Sequence, residues 1–277
     1  MNSSRFKKLF AVAFFVVLLF SFVCLRQETG KVPVLNYHMV EDGLPSRISV
    51  STQDFEEQMA YLHRRGYTSI TPDQLLRHIK SGAPLPDKPV VITFDDGYAD
   101  NFTNAYPIMQ KYGFTGTIFV ISDFVENNPR YLTWKQIKEL HDHGFVIGSH
   151  TLSHVPLTNL SEQEAVHQLV KSREGIEWRL NTPVRYFAYP TGAFNQNIEG
   201  IVARSGYSAA FTVDFGRVSA ESDVYAFERI PIFKSRLSLL NFYLRMEATP
   251  VAGLIQDVKR KVVSALGLRR HDDDGMN

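Results

Sequence analysis

The chain has 277 residues, 44% hydrophobic and 21% charged, which is enough apolar material for one barrel-sized domain or two small ones and too much for a disordered chain. Thirty Lys and Arg against 29 Asp and Glu leave a formal net charge of +1, so charge gives no ground for nucleic-acid binding. The sole cysteine, Cys24, excludes an intramolecular disulfide.

At the amino end, Arg5, Lys7 and Lys8 precede an uncharged stretch from Leu9 to Leu25, the pattern of a secretory signal or signal-anchor with its basic end in the cytoplasm. Its 17 residues are at the lower limit for a spanning helix, and no Ala-x-Ala cleavage site follows, which favours a retained anchor. Residues 1–31 are therefore read as signal or anchor plus linker, and the protein is expected outside the cytoplasm, anchored or secreted. Val32 to His38 reads as a first strand. Thr52 opens a helix whose Phe55, Met59 and Leu62 repeat at helical spacing until Gly66, and Thr71-Pro72 opens another that carries Leu75, Leu76 and Ile79 until Gly82.

Val90 to Phe94 is a buried-strand run that stops at Asp95-Asp96-Gly97. A helix around Ala105 to Tyr112 ends at Gly113, a strand covers Thr115 to Ile121, and Thr133 opens a helix ending near His143-Gly144. The run Phe145 to Ser149 then leads into His150 and His154. Ser161 with Glu164 makes a capping box for a long helix carrying Val166, Leu169, Val170, Ile176 and Leu180. A strand (Arg185 to Tyr189), a helix (Ile198 to Ala203), and two strands (Ser208 to Val213, Tyr225 to Phe233) complete the alternation. Such alternation predicts parallel strands with crossover helices over residues 32–248. From Thr249, a basic amphipathic helix (Val251, Leu254, Ile255, Val258, Val262, Leu266) is expected to lie on a membrane or pack on the domain, and Arg269 to Asn277 reads as a charged tail.

The polar groups gather just after strand runs, as they do at the carboxyl end of a β/α barrel. Two adjacent carboxylates at a strand's mouth repel unless positive charge sits beside them, and a divalent metal would supply it. His150 and His154 are four positions apart, so on a helical turn or in a compact loop both imidazoles can reach one ion. One carboxylate and two imidazoles leave coordination positions open for water and substrate, as in a catalytic site. Asp-Asp-Gly alone is a common turn, and a His-x-x-x-His pair alone is often incidental; each after its own strand, the two together point to a shared ion. Tyr37, Phe124, Tyr131, Trp134 and Tyr189 lie near predicted loops and are candidates for lining a sugar groove.

These motifs resemble those of the polysaccharide deacetylases of carbohydrate esterase family 4, the NodB-homology group. The resemblance spans roughly residues 32 to 235 and is carried by Thr-Phe-Asp-Asp-Gly (93–97), Ser-His-Thr-Leu-Ser-His (149–154) and Tyr-Pro-Thr-Gly (189–192). It implies an α/β fold, a distorted TIM-like (β/α)7 barrel, and metal-dependent removal of acetyl groups from sugar polymers. By that resemblance Asp95 matches the general base, and Asp96, His150 and His154 match the metal ligands. The backbone N–H of Tyr189 matches an oxyanion contact, with Pro190 and Tyr37 beside the substrate. The family's late acid histidine has no counterpart but His271 in the charged tail, so His38 is the candidate acid. An early acid histidine resembles the permuted branch that acts on poly-β-1,6-N-acetylglucosamine. Where many members carry Arg-Pro-Pro, this chain has Ala188-Tyr189-Pro190, leaving Arg229 or Arg185 to orient the base. The expected ion is zinc, with cobalt or nickel as alternatives. The expected partners are a polysaccharide and, through the amino-terminal segment, a membrane. After poly-β-1,6-N-acetylglucosamine, peptidoglycan and chitin-like oligomers are the next substrates, and a non-catalytic polysaccharide-binding protein is the alternative of another class.

Overall fold

The computed structural model describes residues 30–43, 46–235 and 237–247. The expected signal or anchor segment, the amphipathic helix after Thr249 and the charged tail with His271 lie outside them. Among the described residues, no helix is long and apolar enough to cross a membrane. Lys31–Met246 form one compact unit.

The chain begins with β1 (Val34–Tyr37), β2 (Met39–Val40) and β3 (Ser49–Val50), then α1 (Thr52–Arg64), β4 (Thr68–Ser69), α2 (Pro72–Ser81) and β5 (Pro89–Phe94). A π-helical turn (Asn101–Ala105) runs into α3 (Tyr106–Lys111), followed by β6 (Thr117–Val120), α4 (Trp134–Asp142) and β7 (Val146–Ser149). Next come α5 (Glu162–Leu180), β8 (Tyr186–Ala188), α6 (Gln196–Arg204), β9 (Ala209–Phe215), β10 (Phe227–Pro231) and α7 (Ser238–Glu247). Seven strands pair in the order β1-β10-β9-β8-β7-β6-β5, and β1 returns to β5 through Val34↔Val91 and Tyr37↔Phe94. Every pair is parallel, so the sheet is a closed seven-stranded barrel with helices outside it. The short β4 adds to the start of β5, and β2 pairs only with β3.

Strand alternation divides the core in two. Val34, Val91, Phe119, Tyr186, Ala188, Ala209, Phe211 and Phe227 form the inner cluster, which α2 joins through Leu75 and Leu76. Their neighbours Leu35, Tyr37, Ile92, Phe94, Ile118, Phe187 and Tyr189 face outward and pack on Phe55, Met59, Leu140, Leu169 and Ile201 of the helices. Capping chemistry starts the helices where the sequence predicts. Thr71, Thr133 and Ser161 each make a full capping box with Gln74, Gln136 and Glu164, and Gly82 ends α2 at φ 68°. On α5 the buried face is Ala165, Leu169, Ser172 and Ile176, whereas the expected core residue Val166 is exposed. On that face the Ser172 hydroxyl meets Ser149 at 2.8 Å at the end of β7. The structure adds α7, a helix beyond the elements expected from the sequence.

Candidate metal centre

Asp95 prolongs the inward alternation of Val91 and Thr93, and its N–H donates to the Tyr37 carbonyl at 2.9 Å. Continued alternation would turn Asp96 away from the barrel axis. Instead Asp96 and Gly97 adopt left-handed conformations, φ 73° and 77°, and the chain turns over the barrel mouth. At Gly97 a Cβ would come within 3.0 Å of Val120 Cγ1. On β7, Gly148 faces inward where a Cβ would lie 2.5 Å from the Phe119 ring, so glycine there lets Phe119 fill the barrel. His150 is the next inward position. Beyond it the chain forms the compact loop, the second of the two arrangements open to the histidine pair. Thr151 and His154 stand at φ 68° and 63°, and the His154 N–H donates to Thr151 Oγ1 at 3.0 Å. Asp96, Thr151, His154 and Thr191 are four of the seven non-glycine residues with positive φ among the described residues. Such strain persists only where surrounding structure enforces it, and here it gathers at one rim of the barrel.

The three side chains meet. Asp96 Oδ1 lies 3.4 Å from His150 Nε2 and 3.3 Å from His154 Nε2, and one ligand atom from each residue falls within 4.8 Å of the others. His150 Nδ1 sits 2.8 Å from the Ala188 carbonyl, an acceptor that fixes the proton on Nδ1 and leaves the Nε2 lone pair facing Asp96. Asp96 Oδ1 is buried and in hydrogen-bonding geometry with nothing among the described residues. A buried carboxylate oxygen facing two imidazole nitrogens is the donor set of a divalent cation site; burial lowers the His150 pKa, and the facing Asp96 more than offsets it. Burial works against the charge on Asp96, yet His150, His38 and His154 outweigh it and hold the carboxyl well below its usual range. Burial and the adjacent His150 lower His154 to about 4, so its imidazole is neutral at ordinary pH, as a ligand must be.

Asp95 is held separately. Arg229, fully buried on β10, grips both carboxylate oxygens at 2.7 Å and also donates to the Thr212 carbonyl at 2.6 Å and to Thr93 Oγ1 at 3.1 Å. A register shift between Phe227 and Arg229 interrupts the β10–β9 ladder at this residue. Burial alone would raise the Asp95 pKa; the guanidinium overcomes it and the carboxyl stays below the ordinary range. His38 is partly buried one step beyond β1, where burial lowers its pKa against the raising pull of Asp95 and Asp96. The π-helical turn secures this segment: Asn101 Nδ2 donates to the His38 carbonyl at 2.8 Å, and Asp100 Oδ1 accepts the Val40 N–H at 2.9 Å.

Several expected site residues lie elsewhere. Tyr37 faces outward into the core and donates to Gln58 Oε1 at 2.8 Å, because strand alternation cannot send both Tyr37 and His38 to the mouth. Tyr189 is likewise buried on the outer face, and its N–H is already bonded to the Phe211 carbonyl at 3.1 Å, so it is not a spare oxyanion donor. Pro190 is buried at the start of a 3₁₀ turn whose Thr191 has φ 58°. Arg185, at the opposite ends of the strands, pairs with Asp73 at 3.4 Å on the surface. Trp134 packs beneath Arg179 at 5.3 Å. Tyr131 and Phe124 do adjoin the centre, joined by Tyr98, which is not among the residues expected there. Tyr98 stacks on Tyr131 at 5.0 Å, Phe124 meets Tyr131 edge-on at 4.9 Å, and Asp96 acts on both hydroxyls through its charge. The position of Tyr98 directly after Gly97 is the signal for it in the sequence.

The sequence profile described as polysaccharide deacetylase matches residues 82–210. The Bacillus subtilis protein YxkH, whose name gives that family but no particular polymer, is 32% identical over 206 residues, 74% of this chain and 73% of its own length. This chain belongs to the polysaccharide deacetylase family. The family's members are hydrolases that act on amide bonds and depend on a metal, for which Asp96, His150 and His154 form a possible site. This deacetylase is also 29% identical over 197 residues to a Staphylococcus aureus protein named poly-beta-1,6-N-acetyl-D-glucosamine N-deacetylase, covering 66% of this chain and 68% of that one. The solved structure of the Streptococcus pyogenes deacetylase PplD in complex with acetate superposes with a TM-score of 0.72 at 29% identity, over 76% of this chain and 97% of that chain.

Proposed function

We propose that this deacetylase removes N-acetyl groups from N-acetylhexosamine units of an extracytoplasmic polysaccharide, with poly-β-1,6-N-acetylglucosamine as its first substrate. The observation that carries the reading is the convergence of Asp96, His150 and His154 on one point beside a carboxylate that Arg229 keeps ionised. The named substrate of the Staphylococcus aureus relative supports the polymer, and the early position of His38 supports the same branch. The basic residues and apolar stretch at the amino end support action outside the cytoplasm, by an anchored or secreted protein. Zinc is the expected ion for one carboxylate and two imidazoles, with cobalt and nickel as alternatives.

When bound, such an ion polarises the acetyl carbonyl and lowers the pKa of a water molecule. The residues supply the rest. Asp95 accepts the proton of the attacking water; the two Arg229 bonds keep its carboxylate charged and fixed, and each oxygen retains a lone pair for the task. His38 donates a proton to the sugar nitrogen as the C–N bond breaks, so acetate and a free amino sugar leave. The strained turns at Asp96, Thr151 and His154 keep the ligands in place before substrate arrives. Acetate release should be measured over β-1,6- and β-1,4-linked N-acetylhexosamine oligomers, with and without chelator. Chelator-sensitive release that favours the β-1,6 series is expected. Preference for the β-1,4 series would move the substrate to peptidoglycan or chitin-like polymers, and no release from either series would sink the reading.

A further inference from the structure

Val34, Asn36 and His38 occupy successive inward positions along and just beyond β1. Asn36 is 1% exposed, and neither its Nδ2 nor its Oδ1 meets a hydrogen-bond partner among the described residues; the buried His38 Nδ1 is in the same condition. The strand register explains why the barrel leaves them so. Asn36 sits between Thr93 of β5 and Pro231 of β10. The Thr93 hydroxyl already donates to the Leu35 carbonyl at 2.7 Å and accepts from Arg229 at 3.1 Å, and a proline has no N–H to offer. The charged and titratable groups that act on His38 include Asp95, Asp96, Arg229, His150 and His154. Of these, Arg229 is committed to Asp95, Thr93 and Thr212, and His150 Nδ1 faces Ala188.

An unpaired amide inside a barrel is unfavourable, and a leucine of nearly the same shape would avoid the penalty. Fold stability therefore does not account for asparagine at this position. Two residues on the same side of a strand stand about 6.7 Å apart; Asn36 and His38 do not bond each other directly, and one water molecule spans such a gap between an amide and an imidazole. We propose that Asn36 is a positioning residue for His38, its side-chain oxygen serving through a bridging water as acceptor for the imidazole Nδ1–H and so aiming Nε2 at the departing sugar nitrogen. This rests on the reading of His38 as the general acid. It assigns Asn36 no contact with substrate.

The test compares Asn36→Leu, His38→Gln and the double variant for kcat, KM, bound metal and melting temperature, on the full chain with an N-acetylhexosamine oligomer. For Asn36→Leu, kcat should fall about tenfold or more, within the roughly 100-fold or greater loss that removing a general acid brings. Its KM and metal content should stay at the parent values, and its melting temperature should be equal or higher. In the His38→Gln background the leucine should add no further loss of kcat. Asn36→Asp, which keeps an acceptor, should restore part of the rate. An unchanged kcat in Asn36→Leu, or an equal loss with and without His38, overturns the inference while the acid assignment stands. A His38→Gln enzyme at full rate overturns the acid assignment and the inference together.

Discussion

Asp95 and Asp96 adjoin in the chain, yet the protein surrounds the two carboxylates in different ways. Asp95 faces a guanidinium that donates to both its oxygens inside the barrel and is itself held by Thr93 and Thr212. Asp96 faces two imidazole nitrogens, and its buried Oδ1 lacks a hydrogen bond among the described residues. One half of the centre is complete as polypeptide, and the other half is arranged around a charge the polypeptide does not contain. The difference separates two kinds of failure: loss on the Asp95 side should leave the ion site intact, and loss on the Asp96 side should not.

The comparison is sharpened most by Asp95→Asn. Acetate release should fall about 100- to 10,000-fold, the range for a lost general base, while bound metal measured by mass spectrometry stays at the parent level. A normal rate would mean that the proton goes elsewhere. Arg229→Met leaves the Asp95 carboxylate buried alone, and denaturant unfolding should show a loss of about 3–5 kcal/mol. Adding Asp95→Asn to that variant should recover part of the stability, because the unpaired charge is gone; additive losses would mean that the pair is not coupled. Gly148→Ala drives a methyl into the Phe119 ring and should destabilise by about 1–3 kcal/mol without changing the metal stoichiometry.

The smallest effect is expected at Asp100, whose pKa burial raises to about 6 in spite of the Val40 N–H bond. A carboxyl with a raised folded pKa binds protons more tightly in the native state. Native stability therefore falls as pH rises from the ordinary carboxyl range to about 6, and stays lowered above it. Asp100→Asn keeps an oxygen for the Val40 N–H and removes the ionisation. It should raise the melting temperature above pH 6, with the gain vanishing toward pH 4. An equal gain at both pH values would show that charge is not the cause.

Much of this was legible in the chain because its causes are local. The capping boxes at Thr71, Thr133 and Ser161 need only residues three apart, and the apolar runs before Asp95 and His150 are strands by composition. The choice between Arg229 and Arg185 was not legible. It depends on which strand end each occupies and on a register shift in β10, both set by pairing across the sheet. The structure turns Tyr37 and Tyr189 to the outer face, as period-two alternation requires, since a strand that aims His38 inward must aim Tyr37 outward. Aromatic type alone does not fix a strand residue's side, and the Phe211 carbonyl that engages the Tyr189 N–H comes from a strand beginning twenty residues later. The departure of Asp96 from alternation rests on a left-handed turn that Asp-Gly permits but does not specify.

The most direct measurement is metal titration of the purified chain and of His154→Ala, followed by acetate release from an N-acetylhexosamine oligomer. The account predicts one divalent ion per parent chain, and loss of both the ion and the activity in the variant. A parent chain that releases acetate with no ion bound, or a variant that keeps its ion and its rate, would contradict it.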